Sequence, residues 1–247
     1  MGLGKGIGLF FMILGVCSVA VAGARTQVGN QMPAPDRERI APMEVAGLGK
    51  LPASFEGDLP APDGPRIHYH LDLYPGQVFV LRLTEPGRDA PIDQIGKWAV
   101  SGDGGRLMLT SEGMISRLYA IGDTRTLHTL DPAAQAMEPP SSYDLTRIWP
   151  FAPVEPTLLL HGMYGRAGNE TVFEDCQTGW RLPVAPEGDG KTMESAYSKA
   201  NGGSNEPLFV TLVGTIAQRP DADGEGTQAS LVVDRFVGAW PSETCGR

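Results

Sequence analysis

The chain is poor in basic residues: 20 Lys and Arg stand against 29 Asp and Glu, a formal net charge of −9 over 247 residues. Nucleic acid and an anionic bilayer surface both need clustered cations to offset phosphate charge, so neither is an expected partner. Catalytic signatures are missing as well. Ser101-Gly102-Asp103-Gly104-Gly105 has neither the lysine nor the spacing of a phosphate loop, and no Gly-x-Ser-x-Gly or His-Glu-x-x-His occurs. The acidic residues fall mostly in turns, where Asp bends and caps the chain. An enzyme is not expected.

A long apolar run is also absent. Ile7 to Val21 falls short of the ~20 residues that span a bilayer. With Lys5 before it and Ala22-Gly23-Ala24 after it, this run reads as a secretion signal over residues 1–24, cleaved before Arg25. Leu14-Gly15-Val16-Cys17 offers a second reading, a lipoprotein processing site whose lipidated Cys17 would place the protein at a membrane. Val16 stands where such sites want Gly, Ala or Ser, and the apolar run continues past Cys17, which favours simple cleavage. Thiols are scarce too, three in all. With Cys17 removed, Cys176 and Cys245 remain, and in an oxidising compartment an isolated pair is expected to be a structural disulfide. Closing a loop of that size stabilises a domain by about 4 kcal/mol in the chain-entropy model.

What is abundant is turn-forming: 32 Gly and 21 Pro beside 41% hydrophobic residues. Short strands and turns, a mainly β protein, follow from that balance. Residues 25–45 are polar and without periodicity, a flexible leader. From Leu59 three prolines and a glycine predict a bent path into the first sustained strand. There Ile67, Tyr69, Leu71 and Leu73 share one face and His68, His70 and Asp72 the other. Tyr74-Pro75-Gly76-Gln77 predicts a type II turn, and Phe79, Leu81 and Leu83 continue the apolar face on the returning strand. Further strand-like stretches at 96–100, 106–110, 115–121 and 126–130 complete an up-and-down meander over 46–148, closed or nearly closed into a small antiparallel barrel. Residues 149–156, with Pro150, Pro153 and Pro156, form a stiff linker that should hold the two halves at a preferred separation. Over 157–247 the order is three strands, a helix-compatible Lys191–Ala200 with Met193, Ala196, Tyr197 and Ala200 on one face, then two strands. That is the order of a five-stranded OB barrel with one short helix. Its basic, aromatic-rich nucleic-acid face is not apparent in so acidic a chain.

Particular segments carry a family resemblance. Leu59-Pro60, Asp63, Pro65 and Ile67, then Ile95-Gly96-Lys97-Trp98, Leu127-His128-Thr129-Leu130-Asp131 and Ser142-Tyr143-Asp144-Leu145 resemble, in order, the N-terminal domain of the NlpE family of envelope copper-resistance and surface-sensing proteins. Gly162-Met163-Tyr164, Phe173 to Gly179, Glu206-Pro207-Leu208 and Trp240 to Cys245 resemble its C-terminal domain. The resemblance implies a lipocalin-like barrel followed by an OB-like domain. It implies a disulfide between Cys176 and Cys245 that ties the last strand's tail to the barrel and has been suggested to sense redox state. It also implies lipoprotein anchoring, and signalling to an envelope-stress sensor kinase. The family's Cys-x-x-Cys falls at Ala61 and Gly64, and neither a methyl group nor a hydrogen ligates a soft metal.

Two other functional readings come from the residues. His68 and His70 lie about 7 Å apart along one strand face, a spacing that suits two ligands of one Cu(II) or Zn(II), with Asp72 or Asp63 as oxygen donor. Against this stands a pair of solvated histidines on the outside of a barrel, with His128 and His161 on other strands. The barrel interior could alternatively carry a small molecule. The leading expectation is a non-enzymatic protein of the periplasm or envelope that acts through other envelope proteins in a copper or stress response.

Overall fold

The structure, a computed structural model, describes residues 1–2, 32–35, 42–201, 204–221, 224 and 226–246. The secretion signal, Cys17 and most of the leader lie outside the described residues. Among those described, no helix is long and apolar enough to cross a membrane.

A small hairpin, β1 (Met43–Val45) and β2 (Gly49–Leu51), leads into eight strands. These are β3 (Ala53–Ala61), β4 (Gly64–Tyr74), β5 (Val78–Thr84), β6 (Ile92–Val100), β7 (Arg106–Ser111), β8 (Met114–Asp123), β9 (Thr126–Thr129) and β10 (Asp144–Ile148). Each pairs with the next, and β10 returns to β3, so the ring closes without an edge. β3 differs from the sequence expectation, because Leu59 and Pro60 end a nine-residue strand rather than open a loop. Pro60 sits at the irregularity between the pairs of Leu59 and Ala61, where its missing N–H costs no ladder bond. The turn after β4 has Gly76 at φ 81° as expected, and Gln77 is left-handed too, at φ 66°.

Phe55, Leu71, Phe79, Leu107, Tyr119 and Leu145 line the barrel interior at 0% exposure. Ile67, Tyr69 and Ile92 toward the other end are only partly buried, but a barrel of eight strands is narrow enough for side chains to fill, and at the level of the first six they do. Gly96 shows how tight this is, since a Cβ there would come within 2.6 Å of the Phe79 ring and 2.3 Å of the Thr110 carbonyl oxygen. The β1–β2 hairpin caps the end at which β4 turns into β5, with Leu48 0% and Leu51 1% exposed. Arg147 holds it there. Its guanidinium donates to the Leu48 carbonyl at 2.6 Å, the Thr124 carbonyl at 3.3 Å and the Lys50 carbonyl, and lies 4.5 Å over the Trp149 ring.

The second domain is a closed ring of β11 (Thr157–Ala167), β12 (Glu170–Asp175), β13 (Arg181–Gly188), β15 (Thr227–Trp240) and β14 (Leu208–Pro220), with α1 (Gly190–Asn201) between β13 and β14. Strand order and helix match the OB expectation. Met193 at 0% and Tyr197 at 3% exposure bury the helix's apolar face, whereas Ala200 is exposed. Met32 of the leader, 5% exposed, donates its amide to the Arg166 carbonyl at 3.1 Å and covers Gly165.

The halves are not held apart. Tyr74, Val78, Val80 and Ile95 on the outer face of β4–β6 share one buried cluster with Leu158, Leu160, Trp180 and Ile216 of the OB domain. Tyr74 packs against Trp180 at 4.9 Å and edge-on against Phe151 at 5.6 Å. One wall thus serves both barrels.

Candidate functional site

The outer face of β3 and β4 places acids opposite histidines by register: Ser54 faces Asp72, Glu56 faces His70, and Asp58 faces His68. His68 Nδ1 lies 2.9 Å from Asp58 Oδ1 with 43% of its side chain exposed, a surface pair. His70 is different. Its side chain is 8% exposed, with Nδ1 2.7 Å from Glu56 Oε1 and Nε2 3.0 Å from Asp72 Oδ1. Ionised carboxylates only accept, so this pairing favours the ring with hydrogen on both nitrogens, the imidazolium. Burial pulls its pKa down, but the hydrogen bonds and charges of Asp72 and then Glu56 outweigh that and leave it raised. Asp72 is 0% exposed. Its Oδ1 also accepts from Ser54 Oγ at 2.5 Å, and its Oδ2 accepts the Val154 amide at 2.9 Å.

The polar face expected to meet water is therefore covered at Asp72 by the interdomain linker. A neighbouring set continues the contact. Arg82, opposite His70 on β5, donates from Nε and Nη2 to the two oxygens of Asp93 at 2.7 and 2.8 Å, and from Nη2 to the Glu155 carbonyl at 2.8 Å. Asp93 Oδ2 accepts the Thr157 amide at 2.9 Å. On the other side Glu155 Oε1 accepts the Gln218 amide at 3.1 Å, and the Pro156 carbonyl accepts the Ile216 amide at 3.0 Å. Gln177, beside Cys176, adds a separate bridge to the Ile95 carbonyl at 2.9 Å and Ser111 Oγ at 3.0 Å. The expected spacer is a strap gripped from both sides.

Cys176 and Cys245 form the expected disulfide, with Cα atoms 5.2 Å apart. It is half-buried and stands in the wall of a cleft of about 880 Å³ between the domains, with Gly76 and Lys97 on the barrel side and Glu174 and Arg181 on the OB side. The family model of the NlpE N-terminal domain matches residues 55–139, and that of the NlpE C-terminal OB domain matches residues 154–246. The chain belongs to the NlpE family. Among solved structures it is similar to the Cpx pathway activator NlpE from Escherichia coli, at 24% identity over 79% of this chain and 98% of that one, TM-score 0.34. It is also similar to a candidate lipoprotein from Shewanella oneidensis, at 22% identity over 40% of this chain and 89% of that one, TM-score 0.35. No curated protein matches the chain at a significant level.

Ala61 and Gly64, where the resemblance would place a Cys-x-x-Cys, pair across the two-residue turn Pro62-Asp63. The backbone is right for two ligands and the side chains are not. A Cβ at Gly64 would meet nothing within 4 Å, so space is not what keeps a cysteine out. The histidine pair is not arranged for copper either, because both nitrogens of His70 face carboxylates and only His68 would remain as a nitrogen ligand on this face. His128 is 2.6 Å from Asp144 on another part of the barrel, and His161 is 2.9 Å from Thr211 in the OB domain. Among the described residues no group of three or more His, Cys, Asp or Glu is placed to hold a metal ion. Sequence reasoning missed Ser54, Glu56, Arg82, Asp93 and Gln177. Ser54-Phe55-Glu56-Gly57-Asp58 alternates as cleanly as β4 does, and that was the available signal.

Proposed function

We propose that this chain is a non-enzymatic envelope protein that works in a copper or envelope-stress response through contacts with other envelope proteins, a two-component sensor kinase among them. One observation carries the reading: both NlpE domains are present in the family's order, with the OB-domain cysteines bonded. Three features support it. An NlpE fold without the Cys-x-x-Cys ligands keeps its surfaces and loses its thiol metal site, which leaves protein contact as the retained capability. The half-buried disulfide lies beside a cleft that a partner can enter. The apolar segment at 7–21 directs export, and export to the periplasm brings the chain to such partners.

The test is capture from envelope extract with the full-length protein as bait, followed by mass spectrometry. Recovery of a sensor kinase or a lipoprotein-trafficking component, lost with unfolded bait, is the expected result. Recovery of neither counts against the proposal.

A further inference from the structure

The disagreement between the expected histidine metal site and the observed hydrogen bonds points to another role for the same residues. We propose that Glu56, His70 and Asp72 form a latch that fastens the interdomain linker to the barrel and thereby fixes how the two domains are oriented. Asp72 is the working end. It is wholly buried, one of its oxygens takes the Val154 amide, and the other is held by Ser54 and His70. His70 is the brace, hydrogen-bonded to Asp72 on one side and Glu56 on the other, so the carboxylate is aimed before the linker arrives. Both nitrogens of His70 are spent on the latch, not on a metal.

The geometry separates this latch from ordinary surface pairing. His68 and Asp58 on the same strands touch no linker atom among their hydrogen bonds, whereas Asp72, Arg82 and Asp93 hold Val154, Glu155 and Thr157 in turn. The held groups are backbone atoms, so the latch acts on the path of the chain whatever the linker's side chains. Because Pro153 and Pro156 flank Val154 and Glu155, this path has few alternatives once Val154 is fastened. The latch lies beside Tyr74, Val80 and Phe151, whose burial depends on the same docking.

The experiment uses the full-length protein. Amide hydrogen exchange at Val154 is measured in wild type, Asp72→Ala, His70→Gln and the control Asp58→Ala, with the Leu73 and Leu81 amides as barrel references. Expected is exchange at Val154 at least tenfold faster in Asp72→Ala, a smaller acceleration in His70→Gln, none in Asp58→Ala, and reference amides still protected. Because Asp72→Ala could disturb β4, Val154→Pro attacks the latch from the linker side by removing the donor. A nitroxide pair at positions 88 and 199 then reads the distance between domains. A broadened distribution in Val154→Pro supports the latch. Unchanged Val154 exchange in Asp72→Ala, equal acceleration in Asp58→Ala, or an unbroadened distribution in Val154→Pro overturns it.

Discussion

Replacing Cys176 and Cys245 together by serine removes a cross-link between residues 69 apart in sequence. The loop it closes contains β13, α1, β14 and β15, most of the OB domain. Loop-closure entropy for that length gives a loss of about 4 kcal/mol, a thousandfold shift in the folding equilibrium. The native domain should survive it. β14 and β15 pair along their whole length, and Leu212, Leu231 and Val233 are 0% exposed, so the ring does not depend on sulfur for its hydrogen bonds. The tail from Pro241 to Thr244 is exposed and is tied back through Cys245. The expected phenotype is thus a folded OB domain with a freed tail, a lower unfolding midpoint and a somewhat steeper dependence on denaturant, because the unlinked denatured chain exposes more surface. Urea unfolding followed by tryptophan fluorescence measures this, since Trp180 lies within the closed loop and is buried at 2% exposure. Wild type unfolded under a strong reductant should match the variant. A loss below about 1 kcal/mol would refute the loop-entropy argument, and loss of the native state would show that the tail is part of the core.

Three further outcomes follow from particular contacts. Arg147→Met strips charged donors from the Leu48, Lys50 and Thr124 carbonyls and should cost about 3 kcal/mol by urea unfolding, with β1–β2 amides losing protection first; a cost under about 1 kcal/mol would show the cap is held otherwise. Ala61→Cys with Gly64→Cys restores the family spacing on a backbone with room for it, and should create Zn(II) binding by calorimetry under reducing conditions where wild type shows none at those positions. His70 has a raised pKa in the folded state, so its contribution to stability is fully present below its unfolded value of 6.5 and is lost as pH rises through the folded value. The stability gap between wild type and His70→Gln should therefore shrink as urea melts are moved from pH 6 to pH 9, and a gap that widens would mean the ring is neutral in the native state.

Much of the architecture was legible in the sequence. Alternation from Ile67 to Leu73 gave β4 its inward face, and the break at Gly202-Gly203 set the end of α1 within a residue or two. The shared wall was not read, although Val78-Phe79-Val80-Leu81 is apolar on both faces, which is the mark of a strand buried from two sides. β3 was missed because Pro60 reads as a breaker unless a bulge excuses it. At the candidate site the histidines were found and their partners were not. Ligand spacing along one strand says nothing of the neighbouring strand, and pairing across β3 and β4 is fixed only by register. The linker's prolines predicted a stiff segment, but whether such a segment spaces or straps depends on the surface beside it.

The wall common to both barrels bears on how this protein can be dissected. A fragment ending at Ile148 would present Tyr74, Val78, Val80 and Ile95 to solvent, and one starting at Thr157 would uncover Trp180 and Leu160. Each half made alone would carry a sticky flank that the intact chain hides, and such pieces would tend to clump or to adopt foreign company. Interaction partners mapped with truncated halves would then report that flank as readily as the native surface.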